Sequence, residues 1–275
     1  MVDWDLTTRR EFARARVCAV SYLNTVPLVW GMLRGAQQGL FDLSFAVPSE
    51  CADRLLAGAA DIGIVPVIEC ERHGWQRIPG AGIACRGPVR SILVVSKHPP
   101  GAIRTLAADA SSRSSVQLAR IILQRRYGAE PAVTTLAPSL TSMLAGADAA
   151  LIIGDPALRL DPTVFHAYQV LDLGSEWEAL TGLPMVFAMW AGKPSRIEPW
   201  MPEAFLASLH DGQEHINTIV EAESQARSLP PDLVRAYLTR HIRFHIGAEE
   251  EAGMRLFLKY AAELGKPVRQ ESLVS

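Results

Sequence analysis

Three short strand-like segments, each separated from the next by a helix-like one, restrict the fold of this sequence more than any other feature. They span 17–20, 41–49 and 62–67. The first and third are almost continuously apolar, as strands buried on both faces are, whereas the second alternates polar and apolar residues. Strands and helices in this order form a βαβαβ unit, in which right-handed crossovers join parallel strands. The pattern therefore predicts an α/β fold.

Polar residues follow the first two of these strands. Ser21, Tyr22, Asn24 and Thr25 come directly after the first strand, and Ser49 ends the second. Ligands bind at the carboxyl ends of the strands in open α/β sheets, so these residues lie where a site is expected. The same residue types also satisfy backbone groups in turns and helix caps, and one such cluster alone favours that structural role. Repetition of the pattern at further strand ends favours a binding site.

The segment Arg86-Gly87-Pro88 interrupts the strand pattern between two further strand-like segments, 80–85 and 91–96. Proline removes a donor from a strand ladder and glycine permits an unusual backbone, so Gly87-Pro88 ends the pairing there. We therefore predict an exposed bend that carries Arg86 and Ser91 toward the same edge as the first polar cluster.

A serine-rich segment precedes the amphipathic helix predicted from 116 to 127. The N-terminus of a helix offers unpaired backbone amides and a partial positive charge, and the hydroxyls add further donors, which together suit a carboxylate or phosphate. One serine is enough to cap a helix, and the others could simply be solvated. Four serines in five positions exceed what one cap needs, which favours an anion site. They are Ser111, Ser112, Ser114 and Ser115.

Asp155 ends another strand-like segment, 149–153, and is the one carboxylate that the sequence places clearly in the predicted cleft. As the start of Asp155-Pro156 it could equally cap the helix that follows. The residues leave these two roles open.

Composition excludes several classes of partner. The 275 residues are 49% hydrophobic and 20% charged with a formal net charge of -2, so the chain can bury a sizeable core and has no basic excess for nucleic acid. No apolar run suits a secretory signal or a membrane span, so we expect a cytoplasmic protein that binds neither membrane nor nucleic acid. The sequence leaves its oligomeric state open.

We also predict neither a metal nor a cofactor. His241, His245 and Glu249 are spaced four residues apart, but Gly247 interrupts the helix and favours solvated or packing roles. The sequence contains neither a complete dinucleotide-binding fingerprint nor a phosphate-binding loop.

Five ordered segments resemble the signatures of the chorismate dehydratases, which catalyse the first step of the futalosine route to menaquinone. The resemblance extends from about residue 17 to 264. At Ser114 the family more often has threonine, which keeps the hydroxyl. The five segments are 21–28, 61–66, 82–91, 111–116 and 154–158.

This resemblance implies a two-lobed fold like that of the type II periplasmic solute-binding proteins, with a cleft between the lobes. The chain is expected to cross between lobes near 94–96 and 187–189. The first lobe would then comprise 1–95 and 188–275, and the second 96–187.

The resemblance also implies a reaction, the loss of water from chorismate to give 3-(1-carboxyvinyloxy)benzoate. Asn24 and Ser91 occupy the expected catalytic positions, and the enolpyruvyl carboxylate of the substrate is the expected proton acceptor. Two alternatives stay open: a relative of the later pathway enzyme that makes 1,4-dihydroxy-6-naphthoate, and a solute-binding protein for a small carboxylate. The predicted substrate-binding residues are Ser21, Tyr22, Thr25, Ser49, Arg86, Ser111, Ser112, Ser114, Ser115 and Asp155.

Overall fold

A computed structural model describes residues 14–264, in which eleven strands form two mixed sheets. The strands are β1 (Ala15–Val20), β2 (Phe41–Ala46), β3 (Ile62–Pro66), β4 (Gln76–Cys85), β5 (Ile92–Ser96), β6 (Thr105–Asp109), β7 (Ala132–Leu136), β8 (Ala149–Ile153), β9 (Gln169–Asp172), β10 (Met185–Gly192) and β11 (Arg243–Ile246).

Helices connect and cover these strands. They are α1 (Val26–Arg34), α2 (Pro48–Leu56), α3 (Val67–His73), α4 (Arg113–Tyr127), α5 (Leu140–Gly146), α6 (Gly154–Leu158), α7 (Val164–Ala167), α8 (Leu173–Thr181), α9 (Met201–Glu214), α10 (Ile216–Arg227), α11 (Pro231–Ala236) and α12 (Ala248–Glu263). Single 3-10 turns lie at Leu23–Thr25, Pro100–Ala102 and Pro194–Arg196, and one π-helical turn lies at Tyr237–His241. No helix between residues 14 and 264 combines the length and hydropathy that crossing a bilayer requires.

The first sheet has the strand order β11-β4-β10-β3-β1-β2. β1 pairs in parallel with β2 and with β3, which confirms the predicted parallel unit. β10 lies antiparallel between β3 and β4. Every residue of β3 and most of β1 is buried, as their continuous apolar sequence predicts. The carboxyl ends of β1 and β3 therefore lie at one edge of this sheet.

The second sheet has the order β7-β6-β8-β5-β9, in which β6 is parallel to β7 and β8 and β5 is antiparallel to β8 and β9. The chain leaves the first sheet after Cys85 and returns to it at Met185. β5 pairs along its whole length in the second sheet, so the change of sheet precedes the crossing predicted near 94–96. The lobe limits themselves stay a prediction.

The C-terminal region is the part of the fold that the sequence predicts least well. We expected helices over 203–226, 232–243 and 249–264. The first of these is interrupted at His215, where α9 ends and α10 begins. The second is split: α11 covers its first half and the π-helical turn its second half. The strand β11 follows and pairs antiparallel with β4. β11 alternates exposed and buried residues, the pattern of a half-buried edge strand.

Candidate functional site

A cleft lined from both sheets holds about 60 Å³ of cavity volume, or about 560 Å³ of free space when open solvent at its mouth is included. Its apolar walls include Val20 and Ile64 from the first sheet and Ile92 and Ile153 from the second. Seven polar residues predicted from the sequence line it: Tyr22, Asn24, Thr25, Ser91, Ser112, Ser114 and Ser115. The cleft thus brings together polar residues that are as many as 93 positions apart in the sequence, from Tyr22 to Ser115.

The first polar cluster forms a 3-10 turn directly after β1. The Ser21 N–H donates to the Ala46 carbonyl at 2.9 Å, and the Thr25 N–H donates to the Tyr22 carbonyl at 3.0 Å. Leu23 is fully buried and anchors the turn in the core. These hydrogen bonds hold the backbone of the turn without using the side-chain amide of Asn24, and Asn24 lines the cleft.

Ser91 lies in the segment that joins the two sheets. Its carbonyl accepts a 2.7 Å hydrogen bond from the Gly154 N–H, and the residue is almost fully buried. The preceding residue, Arg90, has a φ of 64°, in the left-handed region that side chains other than glycine rarely adopt. The Val89 and Arg90 N–H groups donate to the Asp172 carboxylate at 2.9 and 2.7 Å, which holds this conformation. Such locally strained backbone is typical of functional sites.

The N-terminus of α4 faces the cleft with three serines, and only one of them caps the helix. The Ser112 hydroxyl accepts the Ser115 N–H at 3.3 Å, the usual cap contact. Ser114 and Ser115 also line the cleft. First-turn amides of a helix have no partner within the helix, so this end presents N–H and O–H donors together.

Tyr22 connects the two sides of the cleft. Its hydroxyl lies 3.0 Å from the Ser111 hydroxyl, which in turn donates to the Asp109 carboxylate at 2.7 Å. The ring packs against Gly154, whose φ is 61° and where an added Cβ would lie 2.5 Å from the ring, so only glycine fits. Burial raises the pKa of Tyr22, which keeps the phenol protonated near neutral pH.

Five predicted substrate-binding residues do not line this cleft. Ser111 contacts it only through Tyr22. The Ser49 N–H donates to the Ser111 carbonyl at 3.0 Å, and Val47, not Ser49, is the N-cap residue of α2. Ser21 is exposed.

Arg86 is directed to the outside of the cleft because two carboxylates bind it there. Its guanidinium pairs with Glu178 at 3.2 Å and with Glu249 at 2.8 Å. The bend predicted around Arg86 exists, but it is only partly exposed, since Val89 and Ser91 are buried, and its arginine does not line the cleft.

Asp155 takes neither of the two roles left open for it, since it neither lines the cleft nor caps its own helix. The buried carboxylate accepts the Leu23 N–H at 3.0 Å and pairs with Arg227. Arg227 also donates to the Ser21 carbonyl at 3.2 Å. Asp155 therefore joins the polar turn after β1 to the second sheet and has a structural role behind the cleft.

No side chain among the described lining residues carries a formal charge. Arg113, at the first position of α4, pairs instead with Glu69 at 2.8 Å and Asp53 at 2.7 Å. Nor do residues 14–264 contain a group of three His, Cys, Asp or Glu side chains that could hold a metal. The site is a set of neutral donors, suited to a small anion.

Sequence reasoning missed one residue of this region, Tyr237. Its hydroxyl donates to the Ser91 hydroxyl at 2.8 Å, and its side chain is almost fully buried. The residue stands between Ala236 and Leu238 in a segment predicted as a helix, away from every predicted strand end, so its sequence context indicates only a core position.

Two α/β lobes with a cleft between their sheets define the class of periplasmic-binding-protein-like folds. A protein of Archaeoglobus fulgidus superposes with a TM-score of 0.73 at 13% identity, over 92% of this chain and 98% of the other. The alkanesulfonate-binding protein of Xanthomonas axonopodis gives 0.63 at 16% identity, over 93% of both chains. These likenesses concern the fold alone.

Residues 15–263 match the family model described as menaquinone biosynthesis, and the chain belongs to that family. It is 27% identical over 244 residues to the chorismate dehydratase of Thermus thermophilus, covering 82% of this chain and 88% of the relative. It is 25% identical over 248 residues to the chorismate dehydratase of Campylobacter jejuni, covering 87% and 94%.

Proposed function

We propose that this protein is a chorismate dehydratase, a hydro-lyase that converts chorismate into 3-(1-carboxyvinyloxy)benzoate and water for menaquinone biosynthesis. The observation that carries the proposal is the meeting of Asn24 and Ser91 in one cleft with the serine-rich start of α4. Two relatives at 25–27% identity bear this enzyme's name. A cytoplasmic location accompanies the proposal as a prediction from the sequence.

The chemistry of the substrate fits a cleft of neutral donors. Removal of the C3 proton of chorismate gives a carbanion that delocalises through the ring double bond onto the ring carboxylate. The electron pair then forms the C3–C4 double bond as the C4 hydroxyl leaves, taking up the proton removed from C3 to become water, and the ring becomes aromatic. Donors fixed around the developing charge lower this barrier most, because they need no reorganisation.

We assign these donors to three elements of the cleft. Asn24 and Ser91 would contact the reacting part of the ring, and the start of α4 would hold a carboxylate through Ser112, Ser114 and Ser115. Chorismate is a dianion, yet the described lining offers it no cation. Helix N-termini bind anions through amides and the helix dipole without one.

The lining residues also bear on the proton acceptor. Among the described lining residues, Tyr22 is the one with a titratable side chain, and its raised pKa makes the phenol a donor at neutral pH. A general base must be able to accept a proton in the bound complex. The enolpyruvyl carboxylate of the substrate, which is ionised at neutral pH and would be held near C3, is therefore our proposed acceptor.

The direct test is to incubate the purified protein with chorismate and to follow the mixture by mass spectrometry and ultraviolet absorbance. We expect a new aromatic species that is lighter than chorismate by one water. Unchanged chorismate that raises the melting temperature of the protein would instead favour a solute-binding protein. If chorismate is not converted and does not stabilise the protein, the result would refute the proposal and favour the later pathway enzyme.

A further inference from the structure

Tyr237 contacts the proposed catalytic serine from behind the cleft. Its phenol oxygen lies 2.8 Å from the Ser91 hydroxyl oxygen, although the two residues are 146 positions apart in the sequence. The side chain is about 1% exposed and does not line the cleft, so it reaches the substrate only through Ser91. The residue begins the π-helical turn Tyr237–His241, a local irregularity that is frequent at functional sites.

The phenol of Tyr237 is the donor in this hydrogen bond by its geometry, and its protonation state agrees with that role. Burial raises the pKa of Tyr237 well above its ordinary value, although hydrogen bonds to Ser91 and Asn24 act in the opposite direction. The phenol therefore stays protonated and donates to the Ser91 oxygen.

A serine hydroxyl has one hydrogen and two acceptor positions. With Tyr237 donating to its oxygen, Ser91 must direct its own hydrogen elsewhere. Within residues 14–264 no side-chain or backbone group accepts it, whereas the cleft lies directly beside it. The arrangement makes Ser91 a donor toward a bound molecule and increases the polarity of its O–H bond, because linked hydrogen bonds polarise one another.

We propose that Tyr237 is a positioning residue that orients the Ser91 hydroxyl as a hydrogen-bond donor to the reacting substrate. This inference rests on the proposed dehydration. It adds a residue that acts on the reaction from outside the cleft, through one defined oxygen atom.

The test is a double-mutant cycle on purified protein with chorismate as substrate. Tyr237→Phe removes only the hydroxyl and keeps the ring in the core. We expect kcat to fall about tenfold, the worth of one buried hydrogen bond, with KM changed less than twofold. In the Ser91→Ala background the same Tyr237→Phe change should leave kcat unaltered, because the group through which Tyr237 acts is gone.

Tyr127→Phe is the matched control. Its hydroxyl donates to Glu176 at 2.8 Å away from the cleft lining, so its loss should leave kcat unchanged. Melting temperatures of all variants show whether each one folds.

Three outcomes decide the inference. Normal kcat in Tyr237→Phe, with an active wild-type protein, overturns the positioning role and leaves the proposed function intact. Equal losses from Tyr237→Phe with and without the Ser91 hydroxyl also overturn it, because a structural role predicts such additivity. If the wild-type protein does not convert chorismate, the proposed function is refuted, and this inference is refuted with it.

Discussion

The lining of the cleft and its margin use opposite kinds of polar group. The described lining contains neutral donors, whereas ion pairs outside the lining join elements that belong to the two sheets, and we call these pairs the margin. These pairs are Arg227 with Asp155, Arg113 with Asp53 and Glu69, and Arg86 with Glu178 and Glu249. We propose from this difference a division of tasks, in which charges fix the two sides relative to each other and neutral donors bind the substrate.

Physical chemistry favours this division. A buried cation without a partner is costly to keep in a cleft that is empty for part of each cycle. It would also bind substrate and transition state alike, and such uniform binding lowers KM without raising kcat. Fixed N–H and O–H donors avoid both problems. Each prediction below tests whether margin and lining can be changed separately.

The largest effect should come from the margin, at Arg227. Replacing Arg227 with Ala leaves the Asp155 carboxylate buried with the Leu23 N–H as its remaining partner among residues 14–264, a change that typically costs about 3–5 kcal/mol. Urea denaturation should show this loss in the free energy of unfolding.

The matched control for Arg227 is the double variant with Asp155→Asn. The amide carries no charge, so the double variant should be more stable than Arg227→Ala alone. If Arg227→Ala alone costs less than about 1 kcal/mol, the pair behaves as a surface ion pair and the margin does not fix the two sides.

Next in size are the two proposed catalytic residues of the lining. Asn24→Ala and Ser91→Ala should each lower kcat by about 10²–10³, the usual cost of removing one donor to developing charge. Unlike the margin variant, each should bind chorismate almost normally, which isothermal titration measures apart from turnover. Near-normal turnover in both variants would contradict the assignment.

A smaller effect should follow at the start of α4, where capping and binding can be separated. Ser112 caps the helix, so Ser112→Ala should lower stability by about 1 kcal/mol and also weaken binding. Ser115 lines the cleft without serving as the cap residue, so Ser115→Ala should raise KM several-fold at nearly unchanged melting temperature. Equal KM in wild type and both variants would remove this helix from the substrate site.

The sequence predicts the site residues that lie next to predicted strand ends, and it does not predict those that long-range pairing brings to the site. Asn24 and Ser112 follow strands directly, so strand ends and turn chemistry place them at the cleft. Tyr237 reaches Ser91 only because β11 pairs with β4 and the chain returns across the first sheet, a long-range arrangement without a local pattern. Arg227 ends α10 and resembles any helix-terminal arginine until Asp155 is placed beside it.

The smallest effect should come from Arg86, which the sequence placed in the site and the structure places on the margin. Its pairs with Glu178 and Glu249 are exposed, and exposed pairs contribute little to stability. Arg86→Gln should therefore leave kcat, KM and the melting temperature close to wild type, as steady-state kinetics and thermal denaturation can show. The matched comparison is Ser115→Ala, which raises KM without destabilising the protein. A similar rise in KM for Arg86→Gln would mean that this arginine leaves its carboxylate partners to bind substrate, and the cleft would then recruit a cation from its margin.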